Sequence, residues 1–539
     1  MNHSVRRVSL ILTSVLVFSA LAGGVWDTAL ASGKESALSS RLREYTEVVA
    51  AIEEWSADEV ERDELVFSSV DGMIRTLDPH SSFFAPVEYS DVRDKQAGSY
   101  YGVGLLVSQR DGRVVVITPM EGGPAGRAGV RAGDVIAGVD GKDTTEINYD
   151  RVTELLRGPS GTSVEVTVRR EGYDEPLSFK VTREAISTKA VPASFMLDSD
   201  TGYVRVTDFT STTEREFDVA LETLTAEGMK RVVVDLRGNG GGVLDAAIAI
   251  ADRFLTKGQL VTYMRGVTPD SNVDFHAPGE KPRLEIPVVV LVDHGSASAS
   301  EIVAGAIQDH DRGLVVGDTT WGKGLVQSVY ALRYGAGLAL TTARYYTPSG
   351  RNIQRDYSSL YDYFSSEETN AAGRPDRFET ATGRTVYGGG GIRPDLEVAR
   401  IERPRFAQLL EARSVTFDFA VAWHARHEND PATITPEMLL ELERLATERE
   451  IAAPEEIVLA FADPELRPEL ERMLSAEITS VRDGYAASYP WRLKGDNQIE
   501  AAVKALPDAA RLAAKAAGTA KSILARTPQN PAADTASKI

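Results

Sequence analysis

The chain has 539 residues and carries 79 Asp and Glu against 59 Lys and Arg, a formal charge of −20, which disfavours nucleic acid as a partner. It contains no cysteine, so a disulfide framework, a thiol nucleophile and a lipid-modified N-terminal cysteine are excluded. At roughly 150 residues per domain the length allows several domains.

Residues 1–31 have the pattern of a secretory signal. Arg6 and Arg7 make a basic start, Val8 to Ala22 is apolar, and Ala29-Leu30-Ala31 supplies a small-x-small cleavage site. Cleavage after Ala31 is favoured, with retention as an N-terminal membrane anchor as the alternative. Residues 32–97 read as a charged N-terminal helical region, with Leu42, Tyr45, Val48, Val49 and Ile52 at helical spacing; a packing or dimerisation role is expected. Leu77-Asp78-Pro79-His80 is a turn after a helix, because the residue before proline leaves the helical region. His80 is read as structural.

Residues 98–185 show short β-like runs around glycine-rich turns: Val103 to Val107, Val114 to Ile117, Asp134 to Val139, Val164 to Arg169 and Ser178 to Val181. A helix is expected from Tyr149 to Leu156. Residues 186–400 alternate strands (Tyr203 to Val206, Val232 to Leu236, Leu260 to Met264, Val288 to Val292, Leu314 to Val316, Leu338 to Thr342) with helices (Phe217 to Thr225, Leu244 to Arg253), which implies a mostly parallel sheet with helices packed on it. Tyr357 to Thr385 is a polar insertion. Residues 401–539 turn helical and acidic, with helices at Met438 to Ile451, Pro454 to Phe461, Glu469 to Ser488 and an Ala/Lys-rich stretch Ala501 to Leu524, then a tail Thr527 to Ile539 read as disordered.

Chemistry concentrates between Ile286 and Ser328. A buried strand is followed by the small-residue turn Gly295-Ser296-Ala297-Ser298 and an apolar helix, the geometry that presents a side chain at the end of a sheet. Ser298-x-x-Glu301 is a capping box, so Ser298 is either only a helix N-cap or a nucleophile with the Ala299 N–H beside it. Ser296 and Ser300 are less well placed. The bases available nearby are His294, His310 and Lys323, the last set between glycines, where burial would lower its pKa toward neutrality. Gln327 shares a face with Lys323. Gly317-x-x-x-x-Gly322-Lys323 lacks the final Ser/Thr of a phosphate loop, since Gly324 stands there, and a strand-like run follows. No His/Cys/carboxylate cluster has metal-ligand spacing.

The segments Gly295-Ser-Ala-Ser298-Ala-Ser-Glu301-Ile and Gly322-Lys323-Gly-x-Val-Gln327 resemble the carboxyl-terminal processing (tail-specific) serine peptidases. Gly72-Met-x-x-x-Leu77-Asp78-Pro79-His80-Ser81-Ser82, Asp235-Leu236-Arg237-x-Asn239-x-Gly241-Gly242 and Tyr345-Tyr346-Thr347-Pro348-Ser349-Gly350-Arg351 match in the same order, and the likeness spans roughly residues 41–395. Pro124-Ala125-Gly126-Arg127-Ala128-Gly129-Val130-x-x-Gly133-Asp134 resembles a PDZ domain. These resemblances imply a PDZ domain at 98–185, an α/β catalytic domain of the crotonase-like, tail-specific protease type at 186–400, and a helical C-terminal extension.

They further imply a Ser298–Lys323 dyad supported by Gln327, an oxyanion hole from Ala299 and from Gly241 or Gly242, and no cofactor or metal. Tyr101-Gly102-Val103-Gly104 would be the carboxylate loop leading into a strand at Leu105, where a chain end adds as a strand. The function implied is an exported, cell-envelope or periplasmic endopeptidase acting on proteins recognised at free C-termini. The family admits an adaptor protein, and the terminal helices admit a homo-oligomer. Two rivals stand beside this reading: a catalytically silent PDZ scaffold, and a Ser-His-Asp hydrolase using His294 or His80.

Overall fold

Val288–Val292 is a strand of five apolar residues, all of them buried, and a strand apolar on both sides needs cover on both faces. In the computed structural model, which describes residues 38–110, 112–145, 147–357, 376–427 and 433–526, it lies inside a six-stranded sheet. The order is Ala193–Met196, Thr201–Arg205, Arg231–Asp235, Val288–Val292, Leu314–Gly317, Leu396–Glu397. The first pair is antiparallel and the other four pairings are parallel. The predicted signal segment, most of the polar insertion and the C-terminal tail lie outside the described residues.

One face of this sheet is covered by the helices Thr213–Ala226, Leu244–Asp252 and Ala299–Asp309, through Phe217, Leu221, Ile250, Ile302 and Val303 against Val204, Val234 and Val290. The other face is covered by the long C-terminal helix Asn497–Arg526. Its Ile499, Ala502, Ala505, Leu506 and Ala509 recur at helical spacing and pack on Tyr203, Val233, Val289, Leu291 and Val316. The Ala/Lys-rich stretch of the C-terminal region is thus one of the layers that bury this sheet.

The expected single parallel sheet needs one correction. Leu260–Gly266 and Gly337–Tyr346 do not join it; they pair antiparallel, Tyr263 facing Tyr346 and Gly266 facing Ala343, in a separate sheet with Val273–His276. Strand propensity gives no information on which sheet a strand enters.

Residues 98–185 contain their own sheet, in the order Leu105–Arg110, Arg113–Pro119, Val135–Val139, Ser163–Arg169, Leu177–Thr182, with the helix Tyr149–Leu156 closing a core of Val114, Val116, Ile136, Val152 and Val166. The first strand begins at Leu105, two residues after the expected Val103, because Gly104 takes φ +72° and turns the chain. The C-terminal helices Arg405–Ala412, Val415–Arg426, Pro436–Glu448, Pro454–Ala462 and Arg467–Asp483 enclose a third core around Phe419, Leu442, Ile457 and Leu474.

The described residues up to Pro86 form a unit with Val329–Leu340. The expected run of helix is broken there into residues 38–55 and Arg62–Ile74, and Ser82–Phe84 pairs antiparallel with Gly337, Leu338 and Ala339. The turn before that strand is held by Asp78, whose carboxylate accepts from the N–H groups of His80 and Ser81 (both 2.8 Å).

Leu506 is fully buried against the sheet. Leu506→Ala is expected to lower stability by about 2–5 kcal/mol, read as a shift in the denaturant midpoint of the full chain. A shift no larger than that of an exposed substitution on the same helix would mean that the helix does not pack there.

Candidate active site

The parallel strand Val288–Val292 ends in a tight turn whose last residue, Ser298, stands at the N-terminus of the helix Ala299–Asp309. Ser298 has φ +55° and ψ −112°, a conformation costly for a residue with a Cβ and typical of side chains held up at a strand-to-helix turn. The neighbouring serines are engaged elsewhere. The Ser296 hydroxyl donates to the Leu236 carbonyl and that of Ser300 to the Asn239 carbonyl, each at 2.8 Å, and both residues are fully buried. Ser298 alone of the three is partly exposed.

Against this turn lies the glycine turn that follows Arg231–Asp235. Asn239, fully buried, joins the two: its carbonyl accepts from Ala297 N–H (3.0 Å), its side-chain amide donates to Val206 (3.0 Å), and its Oδ1 accepts from Gly241 N–H (2.9 Å). A Cβ on Gly241 would lie 2.8 Å from Ser298 Cβ and 2.9 Å from Ala299 N. Only glycine permits this approach, so the turn sits directly beside Ser298. Of the two glycines expected as oxyanion donors, Gly241 has its N–H directed at Asn239, while Gly242 packs against the Phe209 backbone.

Glu301 connects Ser298 to Lys323. Its carboxylate is fully buried and accepts four hydrogen bonds: Oε2 from Ser298 N–H (2.8 Å) and Lys323 N–H (2.9 Å), Oε1 from Gly322 N–H (2.8 Å) and the Thr320 hydroxyl (2.5 Å). One oxygen therefore holds both residues of the expected dyad. Burial raises the pKa of Glu301, opposed by these donors. The lysine loop is threaded closely: Trp321 N–H donates to the Ser296 carbonyl (2.9 Å), and a Cβ on Gly324 would lie 2.8 Å from Gln354 N.

Gln327 lies on the strand Leu325–Ala331, and its amide donates to the Thr341 hydroxyl at 3.3 Å. His310, at the far end of the helix Ala299–Asp309, has its ring nitrogens against the Leu260 carbonyl (2.7 Å) and the Gln259 amide (3.2 Å). His294 packs on Trp321, ring centroids 5.1 Å apart. His80 belongs to the other unit.

Behind the glycine turn is a buried ion cluster. Asp235 accepts from the Tyr203 hydroxyl (2.8 Å), Arg205 (2.8 Å) and Arg237 (2.7 Å). Arg237 also reaches the C-terminal helix entry, donating to Asp496 and Gln498 at 2.8 Å each. Gln498 in turn donates to Asp318 (3.0 Å), at the start of the lysine loop. Residues after 400 thus tie the glycine turn to the start of the lysine loop. Neither Asp496 nor Gln498 carried a readable signal; Asn239 did, as part of the glycine-turn segment, and Glu301 did, as the acid of the capping box.

Burial alone would raise the Asp235 carboxyl, but Arg237 and Arg205 hold it at about 2 against an ordinary 3.8. A folded-state pKa below the unfolded value adds stability that is present above the unfolded pKa and lost as pH falls through the folded one, about 2 kcal/mol here. The stability gap between the protein and Asp235→Asn should be constant above pH 4 and narrow from about pH 4 to about pH 2, in denaturant titrations at each pH. A gap that does not change with pH would place the substitution's effect in packing.

In the PDZ region Tyr101 is exposed and pairs with Ala185, while Gly102, Val103, Gly104 and Leu105 are buried. The Val103 carbonyl accepts from Ala125 N–H and the Gly104 carbonyl from Met120 N–H, both at 2.9 Å. The loop is therefore fixed from behind and leads straight into the edge strand Leu105–Arg110. Arg157, at the end of the PDZ helix, pairs with Asp91 and lies over the Tyr100 ring.

Residues 200–358 match the profile of Peptidase family S41, and residues 115–170 match that of the PDZ domain. The chain is 40% identical over 294 residues to a carboxy-terminal-processing protease of Bartonella bacilliformis, covering 54% of this chain and 67% of that one. It is 30% identical over 389 residues to the carboxy-terminal processing protease CtpA of Bacillus subtilis, covering 69% and 82%. Among solved structures, the photosystem II D1 C-terminal processing protease aligns with 30% identity over 64% of this chain and 84% of that one, with a TM-score of 0.34.

Proposed function

Because the chain belongs to the carboxy-terminal processing proteases, serine peptidases of family S41 with a PDZ domain, we propose that it is an exported endopeptidase that cleaves proteins captured by their C-termini, with Ser298 as nucleophile and Lys323 as general base. The observation that carries this reading is the Glu301 carboxylate, one oxygen of which accepts from the N–H groups of both Ser298 and Lys323. Neutral Lys323 takes the Ser298 hydroxyl proton as Oγ attacks the scissile carbonyl, and the protonated amine then gives that proton to the leaving amine. Water repeats the sequence on the acyl-enzyme. Gln327 restrains the lysine side chain from the adjoining strand.

The developing oxyanion is met by the Ala299 N–H at the helix start and by the glycine turn packed against it, through Gly242, since the Gly241 N–H is already given to Asn239 Oδ1. A donor of this kind contributes about 3 kcal/mol. The PDZ domain takes the substrate's terminal carboxylate at Tyr101–Gly104 and pairs its last residues with Leu105–Arg110. Export rests on the N-terminal pattern of Arg6, Arg7, Val8 to Ala22 and Ala29-Leu30-Ala31. Among the described residues no helix is long and apolar enough to cross a membrane. An adaptor that delivers substrate and self-association through the terminal helices are compatible with the family.

Cleavage of an unstructured protein with an apolar C-terminus tests the dyad. Ser298→Ala and Lys323→Ala should each lower kcat/KM by about 10³-fold or more while thermal unfolding is retained. The unmodified protein should gain activity toward alkaline pH as the lysine loses its proton. Activity that survives Lys323→Ala but is lost in His294→Ala would transfer the base to His294. A folded protein that binds chain ends and cleaves none would favour a scaffold.

A further inference from the structure

The PDZ sheet has a free edge. Leu105–Arg110 is its outermost strand, paired on one side with Arg113–Pro119 and, among the described residues, with no strand of its sheet on the other. The carboxylate loop Tyr101–Gly104 precedes the N-terminal end of this strand. A chain end captured there therefore runs antiparallel to the strand, and its upstream residues pass Val107, Ser108 and Arg110 in turn.

Those residues do not emerge into open solvent. Ser108 faces Val115, Val115 faces Val135, and Val135 faces Arg169, one row across four strands. Val114 and Ile136 beside this row belong to the PDZ core, so by alternation the row lies on the opposite face. There it floors a cavity of about 640 Å³ whose other wall is the C-terminal helical region, through Ser414, Asp418, Val421 and Arg449. Contacts join the walls: the Arg110 guanidinium lies 4.1 Å from the Phe417 ring centre and 3.9 Å from the Asp418 carboxylate, and Gly133 approaches Val421 so closely that a Cβ would come within 2.3 Å of it.

The cavity is strongly basic. Arg110, Arg113, Arg169, Arg170, Arg413 and Arg449 line it against only Asp418 and Glu171, in a chain whose formal charge is −20. Arg170 is fixed by Asp134 (2.7 and 2.8 Å), and Arg449 pairs with Asp418 (2.7 Å). Arg113, Arg169 and Arg413 are exposed. A residue added opposite Ser108 shares its face, as does one opposite Arg110, so alternate upstream side chains of a bound segment point into this cavity.

We propose that the cavity is a second specificity site of the PDZ module, selecting substrates with Asp or Glu about three to six residues before the C-terminus, the distance set by a rise of ~3.4 Å per residue along the edge strand. The proposal rests on the capture of chain ends described above and adds to it a substrate class: an apolar free end preceded by acidic residues. The arginines act at an accessible rim, so the selection falls with ionic strength.

The test uses the full chain carrying Ser298→Ala, which holds peptides without cleaving them, and fluorescence anisotropy of labelled peptides with the same apolar last residue. The third and fifth residues before the last are both Glu, both Gln or both Lys, and each peptide is made with a free and an amidated end. The Glu peptide is expected to bind about fivefold or more tightly than the Gln peptide at low salt. High salt and the Arg113→Ser/Arg169→Ser double variant should erase the advantage, and Arg113→Glu/Arg169→Glu should transfer it to the Lys peptide. Equal affinity of Glu and Gln peptides, with amidation abolishing binding, overturns the acidic-site proposal and leaves end capture standing. Binding indifferent to amidation overturns capture and the proposal together. A Glu preference unchanged by both arginine variants places the selection elsewhere and overturns it as well.

Discussion

A carboxylate taken fully out of water costs several kcal/mol unless donors replace its hydration. Glu301 is buried completely and has four donors, at 2.5 to 2.9 Å, drawn from two separate segments. The arrangement is thus all or nothing: if the lysine loop moves away, three donors leave together and the acid is stranded. The same constraint holds Ser298 at φ +55°, since its N–H must point at Glu301. Such a conformation persists only where the surroundings over-determine it, and here Asn239, Glu301 and the glycine turn all bear on the same few atoms.

The scaffold beneath supplies the rigidity that this constraint needs. Both turns leave the carboxyl ends of adjacent parallel strands, where open α/β sheets place their sites. The lysine loop leaves the next strand over, Leu314–Gly317. The C-terminal helix closes the back of the sheet, and its first residues bridge Arg237 to Asp318. Burial of Asp235 among Tyr203, Arg205 and Arg237 stiffens the glycine turn from the same side. The C-terminal region contributes to the cavity beside the PDZ domain as well, so one appended element touches both the catalytic layer and the peptide-binding module.

Much of this was legible because it is local. The run Pro287 to Val292 is apolar without alternation, and the structure has Val288–Val292 buried on both faces. Tyr149–Leu156 has the helical period, with Val152 and Leu156 buried. Ser298 and Glu301 are three residues apart, the spacing of a capping box, so one of the four donors to Glu301 could be read from the sequence alone. The other three could not, because Thr320, Gly322 and Lys323 reach Glu301 through tertiary folding that no short-range period encodes. Leu260–Gly266 was readable as a strand but not as a member of a second sheet, since sheet membership depends on distant partners. The apolar face of the C-terminal helix is largely alanine, and small residues give a weak amphipathic signal even where they allow the closest packing. The Gly104 turn displaced a strand start because its positive φ is a backbone choice that the valine beside it conceals.

The most direct test of the central claim is the rate at which a serine-directed phosphonate labels Ser298 in the unmodified protein and in Glu301→Gln, with thermal unfolding recorded for both. If Glu301 aligns the nucleophile turn with the lysine loop, labelling should slow by about 10²-fold or more in a variant that still unfolds cooperatively. Labelling of the folded variant at the unmodified rate would contradict the account and reduce Glu301 to an ordinary helix cap.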